Sequence, residues 1–170
     1  MGRIISVSNQ KGGVGKTTTT VNIAAFLAEK GKRVLIIDID PQGNAGFGIG
    51  INAEEMETTL YEVLIDQIPL EEAIFKTEIE RLSIIPSNIH LSGAQVDLLD
   101  TEGKEFILKK KLEPLKAHYD YIFIDCPPSL GILTLNSLVA ADSVLIPLQC
   151  EYYALEGLNQ LLRIIVMVQE

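Results

Sequence analysis

The sequence predicts an α/β fold: a doubly wound, mostly parallel sheet with helices on both faces. Three observations carry this. Short β-branched runs alternate with longer helical stretches along the whole chain. The run Val34-Leu35-Ile36-Ile37 is continuously apolar, as a strand buried on both faces should be. A glycine-rich turn, QKGGVGKTTTT over residues 10–20, joins an apolar run, Ile4 to Val7, to an apolar-periodic stretch from Val21 to Leu27. Strand, glycine-rich turn and helix start is the order that a parallel sheet with a ligand at its strand ends requires.

The elements follow in order. The first strand is Ile4 to Ser8 and the first helix runs from about Lys16 to Lys30, with Gly31 placed for a left-handed C-cap. Val34 to Ile37 is the second strand, Leu82 to Ile85 the third, Tyr121 to Ile124 the fourth and Val144 to Leu148 the fifth. Between them Thr59–Ile65, Leu70–Phe75, Leu91–Leu99, Lys104–His118, Leu133–Ala140 and Ala154–Val168 read as helices. Gly43 to Gly50 is a second glycine-rich loop, and no internal repeat or low-complexity tract interrupts the pattern. The reading is a single domain over residues 1–170.

At 170 residues, 47 % hydrophobic and 22 % charged, the chain can bury the core of one globular domain. No apolar run reaches the length of a membrane span and the N-terminus lacks a signal-peptide pattern, so the expected location is cytoplasmic and no membrane partner is expected. Cys126 and Cys150 end separate apolar runs without metal-ligand spacing and are read as reduced thiols. The net charge is −9, which argues against a free-standing nucleic-acid binder. The one basic run, Lys109-Lys110-Lys111, is flanked by Glu105 and Glu113 and reads as a solvated helix face.

Three segments carry chemistry. In the first, Gly12, Gly13 and Gly15 let the backbone approach an anion closely, and the start of the next helix directs N–H groups at it. Lys16 can reach a β- or γ-phosphate, and the Thr17 hydroxyl can ligate Mg²⁺. In the second, Ile36 to Asn44, a buried strand ends in Asp38 and Asp40, alternate positions on one strand face. Pro41 stops pairing there and Gly43 loosens the loop. In the third, Tyr121 to Ser129, four apolar residues end in Asp125, and Pro127-Pro128 enforces an extended exit.

KGGVGKTT, with Gln10 where the usual phosphate loop has glycine and Lys11 beside it, resembles the deviant Walker A motif of the ParA/MinD superfamily of ATPases. D-x-D-P-Q-G-N resembles the switch I segment of its ParA/Soj-type partition branch, and the Asp125 strand resembles Walker B leading into switch II. The resemblance implies a P-loop NTPase-like fold, ATP as substrate with Mg²⁺, and nucleotide contacts from Lys11, Gly12, Gly13, Val14, Gly15, Lys16, Thr17 and Thr18. It implies Lys11, Lys16 and Asp40 as catalytic residues, with Lys11 reaching a partner subunit's nucleotide and Asp40 orienting the attacking water. It places Thr17, Asp38 and Asp125 around the metal.

What it implies at the level of the cell is an ATP-dependent homodimer that segregates chromosomes or plasmids. A ParB-type activator would stimulate hydrolysis, and the longer family protein would bind nonspecific DNA on the nucleoid. DNA binding by these residues alone is expected to be weak or absent, since the chain reads as a family member lacking its C-terminal third. Two alternatives remain at this point. One is a MinD-like membrane-cycling division ATPase, which needs a basic amphipathic C-terminal helix that residues 1–170 do not end on. The other is a truncated, hydrolysis-poor nucleotide-binding interaction module. Cys150 to Gly157, CEYYALEG, resembles the family segment after the fifth strand, with Tyr152-Tyr153 read as packing residues.

Overall fold

The computed structural model describes residues 2–150 and 154–169. Strands β1 (Arg3–Val7), β2 (Val34–Asp38), β3 (Phe75–Lys76), β4 (Leu82–Ile85), β5 (Tyr121–Asp125) and β6 (Ser143–Leu145) form one sheet in the order β3-β4-β2-β5-β1-β6. Every pairing is parallel except β3 with β4. The helices are α1 (Lys16–Glu29), α2 (Asn44–Gly48), α3 (Leu60–Leu64), α4 (Leu91–Asp97), α5 (Ile107–Leu112), α6 (Ile132–Ala140) and α7 (Ala154–Gln169).

The two faces of the sheet explain the unbroken apolar runs. Val34, Ile36, Ile84 and Phe123 enter a core with Ala24 and Ala28 of α1. Leu35, Ile37, Ile85, Ile122 and Ile124 enter a second core on the opposite face, with residues of α3, α4, α5 and α6. Alternation along each strand thus sends apolar side chains to both sides. Helix α1 meets the sheet along Lys16, Thr20, Ala24 and Ala28, a stripe at four-residue spacing whose small alanines let it lie close.

Local chemistry sets the ends. Gly31 at φ 83° follows α1, with Lys32 N donating to Leu27 O at 3.0 Å and Gly31 N to Ala28 O at 2.8 Å, which is a Schellman motif. Thr59 caps α3 and forms a capping box with Glu62.

Four expectations change. The predicted strand Val144–Leu148 is Ser143–Leu145, because Pro147 has no N–H for a ladder and the chain leaves the sheet before it. The predicted helix Leu70–Phe75 is a 3₁₀ turn, Leu70–Ala73, followed by β3, whose two residues pair with Ile84 and Ser83. Lys104–His118 divides into 3₁₀, α and 3₁₀ turns, with Pro114 removing a helical donor. The glycine-rich loop after residue 43 contains α2. Lys109 and Lys110 are exposed as expected, while Lys111 is half-buried and paired with Asp66 at 2.7 Å. Cys126 and Cys150 are free thiols, the first buried and the second exposed. Tyr152 and Tyr153 lie outside the described residues.

Candidate functional site

The C-terminal ends of β1, β2 and β5 meet at one edge, and the three chemical segments leave the sheet there. Asn9 shapes the first loop from both sides. Its Oδ1 accepts the Lys11 N–H at 3.0 Å and its Nδ2 donates to the Pro147 carbonyl at 2.8 Å. Gly13 and Gly15 adopt φ of 74° and 90°, conformations that L side chains resist. Gly15 is the N-cap of α1 and supplies no side-chain acceptor, so the first-turn N–H groups of a 14-residue helix face the cleft as an anion site.

Lys16 is buried, and its Nζ donates to the Lys11 carbonyl at 3.1 Å. Burial lowers its pKa, against the opposing pull of Asp125 and Asp40. Thr17 Oγ1 donates to Asp125 Oδ2 at 2.7 Å and Thr20 Oγ1 to Asp125 Oδ1 at 3.0 Å. Burial pushes the Asp125 carboxyl up to about 6, although both threonine hydroxyls and Lys16 favour its charged form.

Asp38 stands opposite Asp125 in register on the neighbouring strand and is fully buried. Its Oδ1 accepts the Asp40 N–H at 3.1 Å. Its Oδ2 accepts those of Ala45 at 2.9 Å and Gly46 at 3.3 Å. Burial, reinforced by Asp125, pushes its pKa up to about 8 against those three donors. Asp40 is buried too, and its Oδ1 accepts the Gln42 N–H at 3.0 Å.

A cleft of about 480 Å³ lies over this edge. Gly12, Gly13, Gly15, Lys16, Thr17 and Thr18 form one wall; Asp40, Gln42, Asn44 and Pro128 form the other. The residues expected around a nucleotide therefore converge, with four exceptions in position. Val14, Asp38 and Asp125 are buried and do not line the cleft. Lys11 is half-buried at its rim and does not line it. Sequence reasoning missed Thr20, Asn9, Gln42 and Asn44. Thr20 carried a signal, since it is three residues from Thr17 and shares its helix face.

The donor set suits a hard divalent cation held jointly with phosphate. Among the described residues no group of three or more His, Cys, Asp or Glu side chains is arranged to hold a metal alone. The Thr17 hydroxyl gives its proton to Asp125 and turns its lone pairs outward. A Mg²⁺ ion, which keeps waters and takes one or two protein oxygens plus substrate phosphates, fits that arrangement.

The AAA_31 family, an AAA domain, matches residues 2–170. The chain is 56 % identical over 170 residues to the chromosome partitioning protein ParA of Myxococcus xanthus, covering 100 % of this chain and 60 % of that protein. It is likewise 56 % identical over 170 residues to the sporulation initiation inhibitor protein Soj of Bacillus subtilis, covering 67 % of it. The fold matches cobyrinic acid a,c-diamide synthase of Mycobacterium smegmatis, solved with a bound ATP analog and magnesium, at a TM-score of 0.95 and 46 % identity. That match spans 99 % of this chain and 69 % of the other. With its glycine loop, its paired strand-end carboxylates and a match that runs along all of its own 170 residues, the chain belongs to the ParA/Soj family of partitioning proteins.

Proposed function

We propose that this chain binds Mg²⁺-ATP in the cleft over Gly12–Thr18 and hydrolyses it slowly, as one half of an ATP-dependent dimer. The observation that carries this reading is the convergence of Lys16, the Thr17–Asp125 pair and Asp40 on one cleft at the N-terminus of α1. Bound Mg²⁺ would neutralise phosphate charge as the γ-phosphoryl group departs. The protein's own groups do the rest. Loop N–H groups and the α1 terminus hold the phosphate chain, and Lys16 brings a desolvated ammonium to it. Thr17 and Asp125 hold the metal's side of the site, with Asp38 acting from below through the backbone of the Asp40 loop. Asp40, across the cleft, orients the attacking water.

Among the described residues no arginine lines the cleft. Arg33 pairs with Asp120 next to the start of β5, and Arg81 lies beside Gly31, both at the far ends of the strands. Lys11 is the residue we assign to supply positive charge to a partner's nucleotide. That arrangement ties hydrolysis to dimerisation. The role we infer is chromosome or plasmid segregation with a ParB-type activator and nonspecific DNA on the nucleoid; these residues span 60 % of the Myxococcus protein.

Lys16→Ala and Asp40→Ala test it together. Lys16→Ala should weaken binding of an ATP analogue with Mg²⁺ by a hundredfold or so, read by calorimetry, because a charge-assisted phosphate contact is lost in a partly desolvated site. Asp40→Ala should bind the analogue like the parent while turnover drops by about a hundredfold or more. Unchanged binding in the first, or unchanged turnover in the second, defeats the assignment.

A further inference from the structure

The turn that carries Asp40 is held from outside its own segment. Asp40 to Gly43 is a β-turn, with Gly43 N donating to the Asp40 carbonyl at 2.9 Å and Pro41 at its second position. The hydrogen bond on the Asp40 carboxylate comes from Gln42, inside the same turn. The carboxylate therefore goes wherever the turn goes. What fixes the turn against the sheet on its outer side is the segment leaving β4, residues 86–88. Fully buried Ser87 donates its hydroxyl to the same Asp40 carbonyl, giving that oxygen a second donor from a different strand end.

Contact at Gly43 is as close. Its φ is 63°, and a Cβ there would stand 2.6 Å from the Ser87 carbonyl oxygen, so backbone meets backbone with no room for a side chain. The neighbours of Ser87 hold the far end of the same excursion. Leu60 N donates to the Pro86 carbonyl at 2.9 Å, and Asn88 Nδ2 reaches the Ala53 carbonyl at 3.5 Å. Residues 86–88 thus act as an anvil under the whole segment from Asp40 to Leu60.

We propose that Ser87 is a positioning residue for Asp40, setting the distance of its carboxylate from the phosphate loop through the Asp40 carbonyl and the Gly43 contact. This rests on the reading of Asp40 given above. Ser87 does not line the cleft, so its loss should act on turnover and leave nucleotide affinity intact. A residue that merely stabilised the fold would move both, or neither.

The test compares the protein with its Ser87→Ala, Gly43→Ala and Asp40→Ala variants, by steady-state ATP hydrolysis, binding of an ATP analogue with Mg²⁺, and hydrogen–deuterium exchange. Ser87→Ala should lower kcat about fivefold, the scale of one hydrogen bond lost from the aligned state, with affinity within about twofold. Amides of Gln42, Gly43 and Phe47 should exchange faster, a readout that needs no turnover. Gly43→Ala should show the same signature more strongly, by about tenfold or more in kcat, since it forces the turn off Ser87. Parent-like exchange and kcat in Ser87→Ala overturns the proposal, as does a loss of affinity in step with kcat. If Asp40→Ala turns over like the parent, the Asp40 reading fails instead, and the exchange rates alone decide whether Ser87 holds the turn.

Discussion

Thr17 and Thr20 share Asp125, one carboxylate oxygen each, and this divides the labour within a run of four threonines. Thr17 is partly exposed and lines the cleft; Thr20 is fully buried, and its single hydroxyl proton is shared between Asp125 Oδ1 and the Lys16 carbonyl, each at 3.0 Å. Thr20 therefore orients the carboxylate from behind without reaching the ligand. Replacing it with valine keeps the shape and removes the hydroxyl, leaving a buried carboxylate oxygen without that donor. We expect Thr20→Val to cost about 1–3 kcal/mol of stability, the range for orphaning a buried acceptor, visible as a lower urea midpoint at unchanged m-value. A midpoint equal to the parent's would mean that Asp125 is held well enough by Thr17 alone.

At the scale of elements, β6 is a short edge strand, three residues long and paired with β1 on its inner side. Asp142, just before it, pins it. Its Oδ2 accepts the N–H of buried Ile4 at 2.8 Å, its Oδ1 accepts Lys116 Nζ at 3.1 Å, and its own N–H donates to the Ile4 carbonyl at 2.9 Å. Partial burial opposes ionisation of Asp142, yet the Ile4 N–H and the Lys116 ammonium outweigh it and hold the pKa below the usual carboxylate range. The folded state thus binds the proton less readily than the unfolded chain. The stability this contributes is present above the ordinary aspartate pKa and is lost as pH falls through the depressed one. In acid titrations followed by circular dichroism, Asp142→Asn should flatten this part of the curve below about pH 4, where aspartates titrate. An acid limb identical to the parent's would show that the pin carries no pH-dependent stability.

The same scale shows what the sequence could disclose. The five main strands and the helices α1, α3, α6 and α7 were legible because their apolar pattern, caps and breakers are local. Strand β3 was not, since two residues become a strand only by pairing with β4. Helix α2 was not either, because five residues with two glycines are held by Asp38, whose side chain lies across the strand end. The phosphate loop and its three aspartates were legible as contiguous motifs. Thr20 and Asn9 act on residues 105 and 138 positions away, at distances where a motif carries no signal.

For the whole molecule, chemistry sits at one end of the strands and each copy carries a net charge of −9. Two such copies repel at long range, so the nucleotide-dependent dimer proposed above would have to be held by short-range contacts that appear when phosphate is bound. Lys11 fits that requirement. Its backbone is built into the loop, through its N–H on Asn9 and its carbonyl under Lys16, while its half-buried side chain stands at the rim of the cleft that it does not line. A side-chain truncation at Lys11 leaves those two backbone contacts intact and removes the ammonium. Lys11→Ala should therefore bind an ATP analogue with Mg²⁺ within about threefold of the parent while losing the analogue-induced dimer, a split expected of a charge aimed across an interface. Sedimentation velocity with and without analogue reads this directly. A variant that dimerises like the parent removes the cross-subunit role, and one that loses analogue binding outright places Lys11 in its own subunit's site instead.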